Sequence, residues 1–273
     1  MDNITKSRIE QKIRDGYQVS IGGIFEKAGE IFKGIALYAI IATLIYFIAH
    51  YTISAIIGLV VPVKFDEEEI QTIASSGDTE AIMQMYKEML SSTSSIISII
   101  LSSIVSTALY PIIFSVFTMA KNYDVNKKNA EFSDLFIHYK DGKFLNLFLV
   151  SLIVNFIGII GVYLCILPGI IVYSMWMLAV PLVIFAGADI KEALTYSMQL
   201  AFKSFGTFVG LFFIGIAIVI VGLILCCVGF FAAFPFIYVM TYVLYKEIIG
   251  FDEEKSEIDQ LGTDIYKDNP YMK

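Results

Sequence analysis

Charge is scarce in this sequence, and its scarcity is local. Asp, Glu, Lys and Arg make up 16% of the 273 residues, against about 25% in an ordinary soluble domain. None of them occurs in residues 34–63, 90–120, 144–188 or 204–245. A water-soluble core does not need uncharged runs of that length. A helix crossing a bilayer needs about 20 apolar residues. The first two runs therefore hold one crossing each, and the last two hold two each, divided at Leu167-Pro168-Gly169 and near Val228-Gly229. No acid lies inside a crossing, which argues against a proton- or sodium-coupled pump.

Other absences narrow the chemistry. His50 and His138 are the only histidines, too few for a four-histidine iron centre. Cys165, Cys226 and Cys227 form no Cys-x-x-Cys pattern, so they read as small packing residues at outer helix ends, with no disulfide and no metal expected. There is no Gly-x-Ser-x-Gly, Walker loop, dinucleotide fingerprint or His-Glu-x-x-His. The expectation is a protein that is not an enzyme, with no catalytic, cofactor-binding or metal-binding residues. The net charge of −7 comes from acids between Asp66 and Glu88 and beyond Gly250. Nothing resembles a basic nucleic-acid face. No short apolar segment with a cleavage site precedes the first run, so the first crossing is expected to serve as its own insertion signal.

What is present repeats a grammar that is clearest from Cys165 to Phe202. One apolar span ends at Pro168-Gly169, and a second runs back to Gly187-Ala188-Asp189. Then Ile190, Ala193, Leu194, Ser197 and Ala201 fall on one helical stripe. Similar stripes, Ile21, Ile24, Phe25, Ala28, Phe32 and then Phe132, Leu135, Phe136, Tyr139, precede the first and third crossings. Each stripe meets an aromatic residue, a lysine and a glycine, as in Phe32-Lys33-Gly34. There the lysine snorkels to phosphate level and the glycine is expected to loosen the bend into the membrane. The returning crossings carry Pro111, Pro181 and Pro235, each expected to kink its helix. The fold class is all-α: a polytopic membrane protein with six transmembrane helices as three hairpins, each preceded by a cytoplasmic-side amphipathic helix.

Residues 1–33 form an N-terminal cytoplasmic segment with its amphipathic helix. Residues 34–249 form the membrane domain, with an outer loop over 64–93. Residues 250–273 form an acidic cytoplasmic tail expected to be mobile. In the outer loop, Asp78 or Thr79 can cap a helix that presents Ile82, Met85, Tyr86 and Met89 on one face. Orientation follows from Lys and Arg. Seventeen of the nineteen lie on the side of both termini, and Lys64 and Lys87 alone lie on the other. Both termini should be cytoplasmic.

Four polar positions stand out inside the crossings. Ser98 and Ser102 belong to a stripe with Ser91, Ser95 and Ser106, either a hydrated path or a close-packing face. His50 and Asn155 are the most polar side chains in their helices, either functional groups or partners of a neighbouring helix. Pro111, Pro168, Gly169, Pro181 and Pro235 read as structural turns and kinks.

Leu167-Pro168-Gly169, Pro181-Leu182-Val183, and Glu192-Ala193-Leu194 with Ser197 and Leu200 resemble a known pattern, as does Phe25-Glu26-Lys27-Ala28 with Ile31-Phe32-Lys33. It is that of the membrane domain of bacterial glycerophosphoryl diester phosphodiesterases and its stand-alone inner-membrane relatives of unknown function. The phosphodiesterase's His-Arg-Gly stretch has no counterpart here. The resemblance implies a bacterial cytoplasmic membrane and six helices. The expected role is non-enzymatic: organising membrane lipids or other membrane proteins, with no nucleic acid as partner. The alternative is a transporter or channel for a small or lipid-like solute. A continuous or gated polar cavity lined by Ser98, Ser102 and Asn155 would favour transport, and a dry core would favour organisation.

Overall fold

A computed structural model describes residues 1–61, 67–164, 166–225 and 228–251. Among these residues the chain is helical throughout, with no strand. A short helix, α1 (Asn3–Asp15), is capped by the Asp2 carboxylate, which accepts from the Thr5 amide at 2.8 Å. Gly16, at φ 76°, ends it, in a left-handed region that glycine enters without steric cost. The first crossing, α2 (Ile21–Val60), starts at Ser20, whose hydroxyl accepts from the Gly23 amide. On the far side lie α3 (Glu67–Ser76) and α4 (Thr79–Ser91). Asp78 caps α4 by accepting from the amides of Glu80 and Ala81 at 3.0 and 3.2 Å. Ser92 alone separates α4 from the second crossing, α5 (Thr93–Asp124).

A 3-10 segment (Phe132–Tyr139) leads into the second hairpin, α6 (Phe144–Leu164) and the broken pair α7 (Ile166–Met175) and α8 (Ala179–Ala186). Then come α9 (Ile190–Lys203), the third hairpin α10 (Phe205–Ile224) and α11 (Val228–Ile248). Among the described residues six segments are long and apolar enough to cross a membrane: α2, α5, α6, α7–α8, α10 and α11. The fold is that of an all-α polytopic membrane protein. The cysteines Cys165, Cys226 and Cys227 and the tail beyond Phe251 lie outside the described residues.

Three local expectations change. The stripe from Ile21 to Phe32 is not a separate helix but the first turns of α2, which runs unbroken through Gly34. Gly34 is there for proximity: a Cβ on it would lie 2.1 Å from the Tyr123 ring of α5. The second stripe is a 3-10 turn rather than an α-helix, held at its start by a reciprocal cap between Glu131 and Asp134. Pro168 and Gly169 sit in the first turn of α7, not between helices. Proline is tolerated there because the first helical amides lack intrahelical acceptors. Gly169 lets α7 approach α6, since a Cβ would meet Val162 at 2.3 Å.

Pro111 and Pro235 lie inside α5 and α11. Pro181 lies in the first turn of α8, just past the break at residues 176–178. Its missing amide means that the helix cannot continue with a full ladder from α7. Helix α9 supplies the missing partners. The Ser197 hydroxyl donates to the Met175 carbonyl (2.9 Å) and accepts from the Leu178 amide (3.2 Å), and Trp176 Nε1 donates to the Leu194 carbonyl (3.1 Å). Asp189 and Glu192 form a capping box at the start of α9. Its buried residues, Ala193, Ser197, Leu200 and Ala201, share one stripe, while Met198 and Gln199 are exposed.

Helices α2, α5 and α11 pack mutually, with the other hairpins around them. The buried core is concentrated toward the end that carries the lysines, around Ile35, Phe117, Met119, Leu182, Tyr242 and Tyr245. That end is also stitched by polar contacts. Asp124 accepts from Tyr242 (2.8 Å) and Lys246 (2.6 Å), Lys27 pairs with Glu247, and Arg8 donates to the Ile249 carbonyl. Toward the opposite end large apolar side chains are exposed on α2, α5, α6, α7 and α10, among them Ile56, Ile100, Phe156, Ile166 and Ile220. In water such a surface would be untenable; among acyl chains it is the expected exterior.

Candidate functional site: a polar cavity between three crossings

The site lies in the looser half of the bundle, where α2, α5 and α6 line an open cavity of about 390 Å³. Its size falls within the roughly 300–1,000 Å³ usual for small-molecule sites. Helical spacing places Ser98, Ser102 and Ser106 on one face of α5, with Ser103 and Thr107 beside them. Tyr46 and His50 enter from α2 one turn apart, and Asn155 enters from α6. Ile99 and Ile159 complete the wall with Tyr110. The serine stripe therefore faces space, not a close-packed helix. Ser95, one turn further out, is buried.

The polar groups are ordered. The Ser106 hydroxyl is 2.6 Å from the Ser102 carbonyl and 2.8 Å from His50 Nδ1. Thr107 donates to the Ser103 carbonyl at 2.7 Å, and Asn155 Nδ2 donates to the Ser151 carbonyl at 3.0 Å. The His50 ring stacks on Tyr46 at 6.0 Å, and Tyr46 stacks on Tyr110 at 5.7 Å. Toward the lysine-rich end, aromatic rings take over. Tyr110 contacts Phe114, which contacts Tyr238, which in turn contacts Phe117. No Asp, Glu, Lys or Arg lines the cavity. It can hold neutral hydrogen-bonding groups; an ion would be stripped of water with no counter-charge.

All four polar positions singled out from the sequence, His50, Ser98, Ser102 and Asn155, line this one cavity. Tyr46, Ser103, Thr107 and Tyr110 were missed. The tyrosines read as interfacial or core aromatics, and only the facing of α5 could have pointed to Thr107. A second, apolar cavity of about 550 Å³ lies on another face of α2, walled by Phe47, Tyr51, Phe230 and Phe231. No group of three or more His, Cys, Asp or Glu among the described residues could hold a metal. A comparison of the chain with family models, curated proteins and solved structures finds no match in any of the three. The class that fold and site define is a multi-pass membrane protein with a neutral intramembrane cavity.

Proposed function

We propose that the chain is a multi-pass protein of a bacterial cytoplasmic membrane, with both termini in the cytoplasm, that carries a small or lipid-like solute by way of the α2–α5–α6 cavity. The bacterial setting rests on the motif resemblance, and the orientation on seventeen of nineteen Lys and Arg falling on one side. One observation carries the solute reading. Polar side chains from three separate crossings converge on a single space of about 390 Å³ in the apolar half. Hydrogen-bonding groups inside a membrane are costly unless satisfied, and a protein that only organised its neighbours would need no such space. The aromatic rings on the cytoplasmic side close the cavity there, and Pro111 next to Tyr110 marks where α5 can bend. Organising lipid or partner proteins is the alternative.

The test is direct. The full chain is extracted from its membrane into polymer nanodiscs, and bound small molecules are read by native mass spectrometry. Wild type is expected to retain a species that Ser102→Leu, which fills the cavity, loses at unchanged folded yield. No retained species in wild type, or the same species in the variant, refutes the solute reading and leaves the organising role.

A further inference from the structure

The hydrogen-bond polarity of the cavity names a ligand class. The hydroxyl of Ser106 has one proton and two close neighbours. The Ser102 carbonyl can only accept. Two oxygens 2.6 Å apart with no proton between them would repel, so the Ser106 proton lies toward Ser102. His50 Nδ1, at 2.8 Å, must then be the donor to the Ser106 oxygen. In the neutral imidazole, whose single proton is then on Nδ1, the other ring nitrogen Nε2 is the acceptor and offers a lone pair, and no described residue bonds to it. Thr107 likewise turns its proton onto its own helix, leaving oxygen lone pairs for the cavity. The hydroxyls of Ser98, Ser102 and Ser103 have no bonding partner among the described residues, and each both donates and accepts. The wall thus offers a fixed acceptor at His50 and adaptable hydroxyls opposite it, all neutral.

We propose that this cavity is a site for a neutral polyol, whose hydroxyls donate to His50 Nε2 and exchange bonds with the α5 serines. A hydroxyl-bearing ligand matches both kinds of group. An anion meets the Nε2 lone pair unfavourably, and a cation finds no carboxylate. The polyol can be the sugar head of a glycolipid or a free sugar. His50 is the residue that determines specificity. The proposal rests on the cavity being a binding site, and the experiment separates the two.

Purified full-length protein is placed in phosphatidylcholine nanodiscs. Three arms contain monoglucosyl-diacylglycerol, diacylglycerol without the sugar, or free glucose in the buffer. Occupancy is read by native mass spectrometry, and the ring nitrogens of ¹⁵N-histidine-labelled protein by NMR. With two histidines on the chain, the His50→Gln spectrum assigns the resonances by difference. The Nδ1–H tautomer is expected at His50, and the glucosyl lipid or glucose is expected to bind at least tenfold better than diacylglycerol. His50→Phe should lower that occupancy five- to tenfold, and His50→Gln, which keeps an acceptor, should restore most of it. Retention of the glucosyl lipid alone identifies a lipid head; retention of glucose identifies a free polyol. An Nε2–H tautomer overturns the proposal whatever binds. If neither polyol binds while a different species co-purifies with wild type, the polyol class is wrong and the cavity reading stands. If nothing binds in any form, both fall.

Discussion

Removing the Ser197 hydroxyl tests how the broken fourth crossing is held. Ser197 is fully buried, and its oxygen serves the Met175 carbonyl and the Leu178 amide at the break between α7 and α8. In Ser197→Ala both backbone groups lose their partner without access to water. An orphaned buried group costs about 1–3 kcal/mol; at about 1–2 kcal/mol each, the two here give roughly 2–4 kcal/mol. At about 2–4 °C per kcal/mol for a chain of this size, the melting temperature should fall by roughly 5–15 °C. Thr195→Ala, on the same helix and not on its buried stripe, is the control and should move it by under about 2 °C. The assay is thermal unfolding in detergent, followed by the emission of Trp176. That is the chain's single tryptophan, and its ring nitrogen bonds the Leu194 carbonyl beside the break. Its emission should shift to the red in the folded Ser197→Ala protein. If Ser197→Ala melts no lower than Thr195→Ala, with unchanged emission, the break is held by something else.

Two further outcomes are expected. Burial holds His138 below the ordinary histidine range, and its bond to Asp141 opposes this only in part. The unfolded chain therefore binds more protons. The resulting stability is complete above a pH of about 6.5 and is lost as pH falls through that value toward the lowered folded pKa. Wild type should lose melting temperature between pH 7.5 and 5.5, and His138→Gln should lose less; parallel loss would refute the assignment. For topology, single cysteines at Ser76 and Ser256, in a background without the native three, are exposed to an impermeant thiol reagent in intact cells. Ser76 should label and Ser256 should not, and the reverse pattern would invert the orientation.

The six crossings were legible because charge is expensive in hydrocarbon, so its absence marks them directly. The start of α9 was legible because Asp189 interrupts an apolar run and a one-sided stripe follows. Gly34 was misread as a loosened bend. Its reason is Tyr123, a contact between distant parts of the chain that no local pattern encodes. The segment Phe132–Tyr139 shows the same apolar spacing in a 3-10 turn as it would in an α-helix, so periodicity could not separate them. Polarity alone picked out His50, Ser98, Ser102 and Asn155. Spacing told which serines share a face, but not whether another helix or a void stands opposite. Ser197 was placed on the apolar stripe, whereas its hydroxyl matters because the break between α7 and α8 leaves the Met175 carbonyl and the Leu178 amide to it.

The length of α2 has a mechanical consequence. Its 40 residues make a rod of about 60 Å, since each adds about 1.5 Å, or about twice the thickness of the hydrocarbon core. It contains no proline and no break. Near one end Phe25 and Phe32 lean on Phe236 and Lys27 is tied to Glu247; further along, His50 faces the cavity. Between them, Gly34 presses against Tyr123 with no side chain in the way, which makes a fulcrum. His50 stands about 24 Å along the rod from it. A tilt of about 5° there swings the imidazole by about 2 Å, enough to make or break a hydrogen bond. A tilt imposed at the lysine-rich surface would thus reach the wall of the cavity through one stiff rod.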